Sequence, residues 1–112
     1  MANVYRRPAA RGDLIAHFVY LAEHATEALA DRFLSQAEAS FNDLAMHPLI
    51  GAPLATRDPA LAGIRKWRVT GFDTVLIFYL PHPDGVSIVR VLHAAQDWWD
   101  LLEIGDQPQP DA

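Results

Sequence analysis

Arg65, Lys66, Arg68, Arg90 and His93 are the side chains of this sequence whose types and spacing could do chemistry. That chemistry would be electrostatic: cations can stabilise charge developing on a phosphate, or meet acidic residues of a protein partner. Lys66 and Arg68 alternate in phase along a strand-like run, so both are expected on one face of it. Arg90 stands between Val89 and Val91, where a charge must be paired or reach an open surface. One reading joins the five into an active constellation. The other makes them a solvated sheet face, with Arg90 paired to an acid such as Asp73 or Asp97, because structural ion-pair networks mimic functional sites. Trp98 and Trp99 divide in the same way, one packing on the sheet and its neighbour pointing elsewhere as an interface anchor.

Other chemistries find little support. The five histidines, at positions 17, 24, 47, 82 and 93, lack metal-ligand spacing, and with no cysteine there is neither thiol chemistry nor a disulfide framework. His17 and His24, seven apart on a helix, read as surface or interhelix residues. The glycines are scattered and build no phosphate-cradling loop, and no serine sits in a nucleophile elbow. The residues imply no metal, no cofactor and no conventional catalytic set.

The elements that must position the basic residues are three strand-like runs, Ile64 to Val69, Thr74 to Leu80 and Val86 to Leu92, rich in β-branched and aromatic residues. Short turn sequences, Thr70-Gly71-Phe72-Asp73 and Pro81-His82-Pro83-Asp84-Gly85, join them into an antiparallel meander. Upstream, Asn3 to Arg7 reads as a strand ended by Pro8, which opens a helix over residues 9–23. Leu14, Ile15, Phe18, Leu21 and Ala22 give that helix one apolar stripe. Thr26 is placed to cap a second helix of roughly 20 residues, with Leu29, Phe33, Ala37, Phe41 and Leu44 inward, ending before Pro48. The short connection makes the two helices an antiparallel hairpin. Pro48 to Ala62 reads as a loop, and Gln96 to Ile104 as one or two helical turns stopped by Gly105. The order β-α-α-β-β-β plus a short C-terminal helix predicts an α+β fold with the hairpin on one face of a mostly antiparallel sheet. Residues 1–104 are expected to form one domain and 105–112 a disordered tail. A two-layer domain of this kind would leave its remaining apolar surface to a partner.

The net charge of −5 is informative through its distribution. Residues 1–12 carry +3, 13–56 carry −5, 57–93 carry +2 and 94–112 carry −5. An acidic chain is repelled by nucleic acid at long range, which argues against a DNA-coating role and leaves room for a local basic patch. No apolar run is long enough for a membrane span, the N-terminal stretch lacks the apolar h-region expected of a secretory signal, and the absence of cysteine suits a cytosolic protein.

The element order, with R-x-x-A-x-x-D-L-like spacing at the start of the first helix, resembles the RelE/ParE superfamily of toxins from type II toxin–antitoxin pairs. The segment Ile88-Val89-Arg90-Val91-Leu92-His93-Ala94-Ala95-Gln96-Asp97, followed by Leu101-Leu102, is similar to the closing pattern of the ParE branch. Gly63-Ile64-Arg65-Lys66-Trp67, Gly71-Phe72 and Ile77-Phe78-Tyr79 resemble its meander. The likeness runs from about Val4 to Leu102.

The resemblance implies a toxin held inactive by a cognate ParD-like antitoxin, whose N-terminal part binds operator DNA while its C-terminal helix and extended segment wrap the toxin in a hetero-oligomer. ParE-like members act on DNA gyrase by binding; RelE-like members cut message on the ribosome. Ala94, Ala95 and Gln96 stand where cleaving members carry a basic cluster, and the C-terminal stretch has no tyrosine. Metal-free cleavage needs groups to activate the 2′-hydroxyl, neutralise the phosphorane and protonate the leaving oxygen, which alanine cannot do. The ParE reading is therefore favoured, with a ribonuclease using Arg65, Lys66, Arg68 and His93, or a degenerate toxin that only sequesters antitoxin, as alternatives. Gln96 replaces an arginine of the ParE pattern. Arg65, Lys66, Arg68, Arg90, His93, Trp98, Trp99, Leu101 and Leu102 are the candidate partner-binding residues, and charge reversal at Arg90 is expected to weaken an antitoxin complex more than reversal at Arg6.

Overall fold

A computed structural model describes residues 2–104; the predicted tail lies outside them. The chain runs through strand β1 (Asn3–Arg6), helices α1 (Pro8–His24) and α2 (Glu27–Met46), strand β2 (Ala52–Pro53), a 3-10 turn (Pro59–Leu61), strands β3 (Arg65–Val69), β4 (Phe72–His82) and β5 (Gly85–His93), and helix α3 (Trp98–Leu101). The sheet order is β1-β5-β4-β3-β2, antiparallel except where β1 lies parallel to β5. The fold is α+β, with a helical hairpin on a mostly antiparallel sheet.

Local chemistry sets the elements. Thr26 Oγ1 accepts from the Leu29 N–H at 3.0 Å, satisfying an orphan donor at the start of α2. Gly71 takes a φ of +80° in the β3–β4 turn, where a side chain would be strained. Gly85 is required by close approach: a Cβ there would fall 1.8 Å from the Asn3 carbonyl oxygen, so only glycine lets β1 dock on β5. The same docking is fastened by Asp84, which accepts from Asn3 Nδ2 and Tyr5 Oη, both at 2.8 Å. Those bonds hold the Asp84 carboxyl below its usual pKa.

The two sheet faces carry separate cores. Toward the hairpin, Phe33, Ala37, Phe41 and Leu44 of α2 pack on Val69, Val75, Ile77, Tyr79, Val86, Ile88 and Val91. On the other face Ile64, Phe78, Val89 and Leu92 are covered by Leu61, Trp98, Leu102 and Ile104. Here the structure corrects the sequence reading: the second face is covered by the chain itself. Thr56 Oγ1 donates to the Leu102 carbonyl (2.7 Å) and the Arg57 N–H to that of Glu103 (2.7 Å), tying the C-terminal segment to the loop before β3. The final helix is a single turn of four residues.

Helix α1 departs from its predicted stripe. Leu14, Phe18 and Leu21 are partly buried, but Ile15 faces solvent at 65% exposure, and Ala10 is the helix's one fully buried residue. Leu14 and Leu21 pack against the first core, and polar contacts to β5 add to that hold. Strand β1 pairs with β5 only through Ile88, so beyond it the β5 edge would have open backbone groups. Asp13 Oδ2 accepts the Val91 N–H at 2.9 Å, and His17 Nε2 donates to the Val91 carbonyl at 2.9 Å. Two side chains of α1 thus finish the sheet edge that β1 is too short to cover.

Candidate partner-binding surface

The five basic residues do not form one constellation. Register decides their faces, because directly opposed residues share a side of the sheet. Arg65 opposes Tyr79 on the hairpin side, and its Nη1 donates to the carbonyls of Leu49 (3.1 Å) and Gly51 (2.6 Å). Lys66 and Arg68 oppose Phe78 and Leu76 on the other side, as their phase predicts. The Lys66 ammonium lies 5.1 Å from the centre of the Trp98 ring. The Arg68 guanidinium lies 5.2 Å from that of Trp67, and Arg68 Nε is 3.4 Å from Asp73. Both members of that last pair are exposed, so the contact positions Arg68 more than it stabilises the fold.

Arg90 belongs to a third place. Phe78 pairs with Arg90 and Tyr79 with Ile88, so Val89 is the extra residue of a β-bulge. Val89 fills the second core while Arg90 reaches the strand edge, where Nε and Nη2 donate to Asp13 at 2.7 and 2.9 Å. This bidentate bond raises the Arg90 pKa further. Arg90 is paired, as one reading holds, but to Asp13 of α1 rather than to Asp73 or Asp97. His93 ends β5, with its Nδ1 accepting from the Ala95 N–H (3.0 Å) and its own N–H donating to Gln96 Oε1 (2.7 Å). Gln96 therefore closes the turn after β5.

The aromatic pair divides as the sequence suggests. Trp98 is 6% exposed and packs against Phe78 with ring centroids 5.2 Å apart, while the half-buried Trp99 stands edge-on to it at 5.3 Å. Leu102 is buried in the same core, whereas Leu101 is 53% exposed.

Beside Lys66 and Arg68 lies a surface built from the end of α2 and the start of the stretch expected to be loop. Met46, Leu49 and Ile50 are exposed at the corner after α2. The corner is fixed from below: the buried Tyr79 hydroxyl donates to the Pro48 carbonyl and accepts from the Gly51 N–H, both at 2.8 Å. Burial pushes the Tyr79 pKa up, which keeps the hydroxyl protonated and able to donate. A Cβ at Gly51 would come within 2.6 Å of that oxygen, so the corner is seated against Tyr79. A polar tip on an inward-facing strand residue is the sequence signal that could have located it, because a buried hydroxyl must find partners. Strand β2 pairs with β3 only at Arg65 and Lys66, leaving the β3 edge beyond them beside an open cavity of about 340 Å³. Ile50, Ala52, Lys66, Trp67, Arg68, Asp73 and Leu76 line it.

An apolar corner, two cations and a partly unpaired strand edge form a surface suited to an extended peptide. Among the described residues, no group of three or more His, Cys, Asp or Glu is placed to hold a metal, and no helix is long and apolar enough to cross a membrane. The family model of the ParE toxin of the type II toxin–antitoxin system, parDE, matches residues 4–98. The chain belongs to the ParE toxin family. A solved chain described as "Chromosomal ParDE TA system from P. aeruginosa" matches this ParE-family toxin with a TM-score of 0.66 at 15% identity. The match covers 83% of this chain and 96% of that one, and at such identity it speaks for the fold. No curated protein matches the sequence. The family carries with it a toxin's place in a type II toxin–antitoxin system.

Proposed function

We propose that this toxin acts in the cytoplasm by binding DNA gyrase, without a cofactor, and that a ParD-like antitoxin neutralises it in a hetero-oligomer that meets operator DNA through the antitoxin alone. The observation that carries the reading is the dispersal of the basic side chains. Metal-free cleavage of RNA needs a proton acceptor, a charge-neutralising group and a proton donor around one phosphate. Here Arg65 is engaged by loop carbonyls and Arg90 by Asp13. His93 opposes Val75 on the hairpin side, across β4 from β3 and on the other face from Lys66 and Arg68. Such an arrangement favours recognition over catalysis.

The antitoxin contact is assigned to the β3 edge and its surroundings. An extended segment adding to that edge would gain main-chain hydrogen bonds, lay apolar side chains on Leu49 and Ile50, and turn acidic ones toward Lys66 and Arg68. Trp99 and Leu101 supply apolar surface to partner or target. Trp98 and Leu102 support that segment from within the core, and Arg65 and Arg90 act by holding the corner and the sheet edge.

Expression in cells tests the reading. The chain alone should arrest growth with accumulating DNA breaks, co-expressed antitoxin should relieve the arrest, and Lys66→Glu with Arg68→Glu should weaken that relief. Arrest accompanied by cleaved ribosome-bound message, and lost in Arg68→Ala, would overturn it in favour of a ribonuclease. No arrest at all would make the chain an antitoxin-binding module.

A further inference from the structure

We propose that the outer face of α1 is a self-association surface, on which two copies of this chain pair about a two-fold axis with their α1 helices antiparallel. This pairing is independent of the gyrase reading. Ile15, Val19 and Tyr20 are 65, 45 and 61% exposed, so the helix that buries one residue inward presents a continuous apolar stripe outward. They stand on two adjacent ridges. Arg11, Ile15, Val19 and Glu23 recur at intervals of four, and so do Gly12, Ala16 and Tyr20 beside them. Ridges of this spacing interdigitate in the commonest mode of helix packing.

The charge pattern selects the occupant. The first ridge is basic at one end, apolar in the middle and acidic at the other, so positions equidistant from its centre are complementary: Arg11 to Glu23 and Ile15 to Val19. A second copy laid antiparallel sets Ile15 beside the other's Val19 and Arg11 beside the other's Glu23, twice over. A parallel copy would oppose Arg11 to Arg11 and Glu23 to Glu23. This is the self-complementarity that an isologous two-fold contact demands. Among the described residues neither Arg11 nor Glu23 makes an ion pair within its own chain. The second ridge supplies close approach: the space beside Gly12 is open, with nothing within 4 Å of a Cβ placed there. The Tyr20 ring is stacked on His24 at 4.3 Å, which holds it along the helix. In the pair each Tyr20 settles over the other copy's Gly12 and Ala16.

A single helix face is a small interface, so the dimer should dissociate on dilution. Sedimentation of the full chain over a concentration series tests this, with circular dichroism confirming that each variant is folded. The wild type should shift from monomer to dimer as concentration rises, and Ile15→Glu should remain monomeric. Arg11→Glu and Glu23→Arg should each weaken the dimer on the order of tenfold or more, and the double exchange should restore it. A wild type monomeric at every soluble concentration, a dimer indifferent to Ile15→Glu, or a double exchange no better than either single one would overturn the proposal. So would loss of antitoxin capture by Ile15→Glu in a chain that never self-associates, which would assign this face to the antitoxin.

Discussion

The two helices of the hairpin share a layer and are held in different ways. Helix α2 buries seven residues between Ala30 and Ala45, six of them apolar. Helix α1 fully buries only Ala10, packs Leu14 and Leu21 at the core margin, and is fastened by Asp13 and His17, which complete the exposed edge of β5, Asp13 also engaging Arg90. The consequence is functional as well as energetic. A helix anchored partly by directed polar bonds needs fewer of its apolar residues for docking, and can turn some of them outward. Helix α2 is framework. Helix α1 is framework on one side and free surface on the other.

That contrast can be broken one contact at a time. Phe41→Ala should cost about 3–5 kcal/mol in chemical denaturation, because the ring is fully buried between α2 and the sheet. Asp13→Ala should cost about 2 kcal/mol, leaving the Val91 N–H and a partly buried guanidinium without their acceptor. Asp13→Asn, which retains an acceptor for Val91, should lose less. Tyr79→Phe should cost about 1–2 kcal/mol by orphaning the Pro48 carbonyl and Gly51 N–H. It should also raise amide exchange at residues 49–51, showing that the corner after α2 depends on a polar anchor. Ile15→Ser, measured where the chain is monomeric, should change stability by less than about 0.5 kcal/mol. A large loss there would mean that the outward residue is structural and that the two helices are less different than they look.

The sequence makes α2 and the meander legible because both are local. The Thr26 cap, the three- and four-residue spacing of Phe33, Ala37, Phe41 and Leu44, and the stop before Pro48 each depend on nearby residues, as does the common face of Lys66 and Arg68. Ile15 departs from its expected face because α1 has apolar residues on two sides, and periodicity cannot say which side meets the sheet. The partner of Arg90 is not legible in the sequence because Asp13 lies 77 residues away and the Val89 bulge turns the side chain to the edge. The cover on the second sheet face is legible only in part: one tryptophan is expected on the sheet, but Leu61 and Ile104 join it from segments without periodicity, and the carbonyls accepting from Thr56 and Arg57 leave no pattern in side-chain type. A constellation of five basic residues therefore resolves into two cations beside an open strand edge, with the other three engaged elsewhere.

The most direct measurement of the central claim is supercoiling by purified gyrase in the presence of this protein, followed by addition of its antitoxin. Binding-based toxicity predicts loss of supercoiling with accumulation of cleaved DNA, and recovery when the antitoxin is added. Unimpaired supercoiling by a preparation that arrests growth in cells would contradict it.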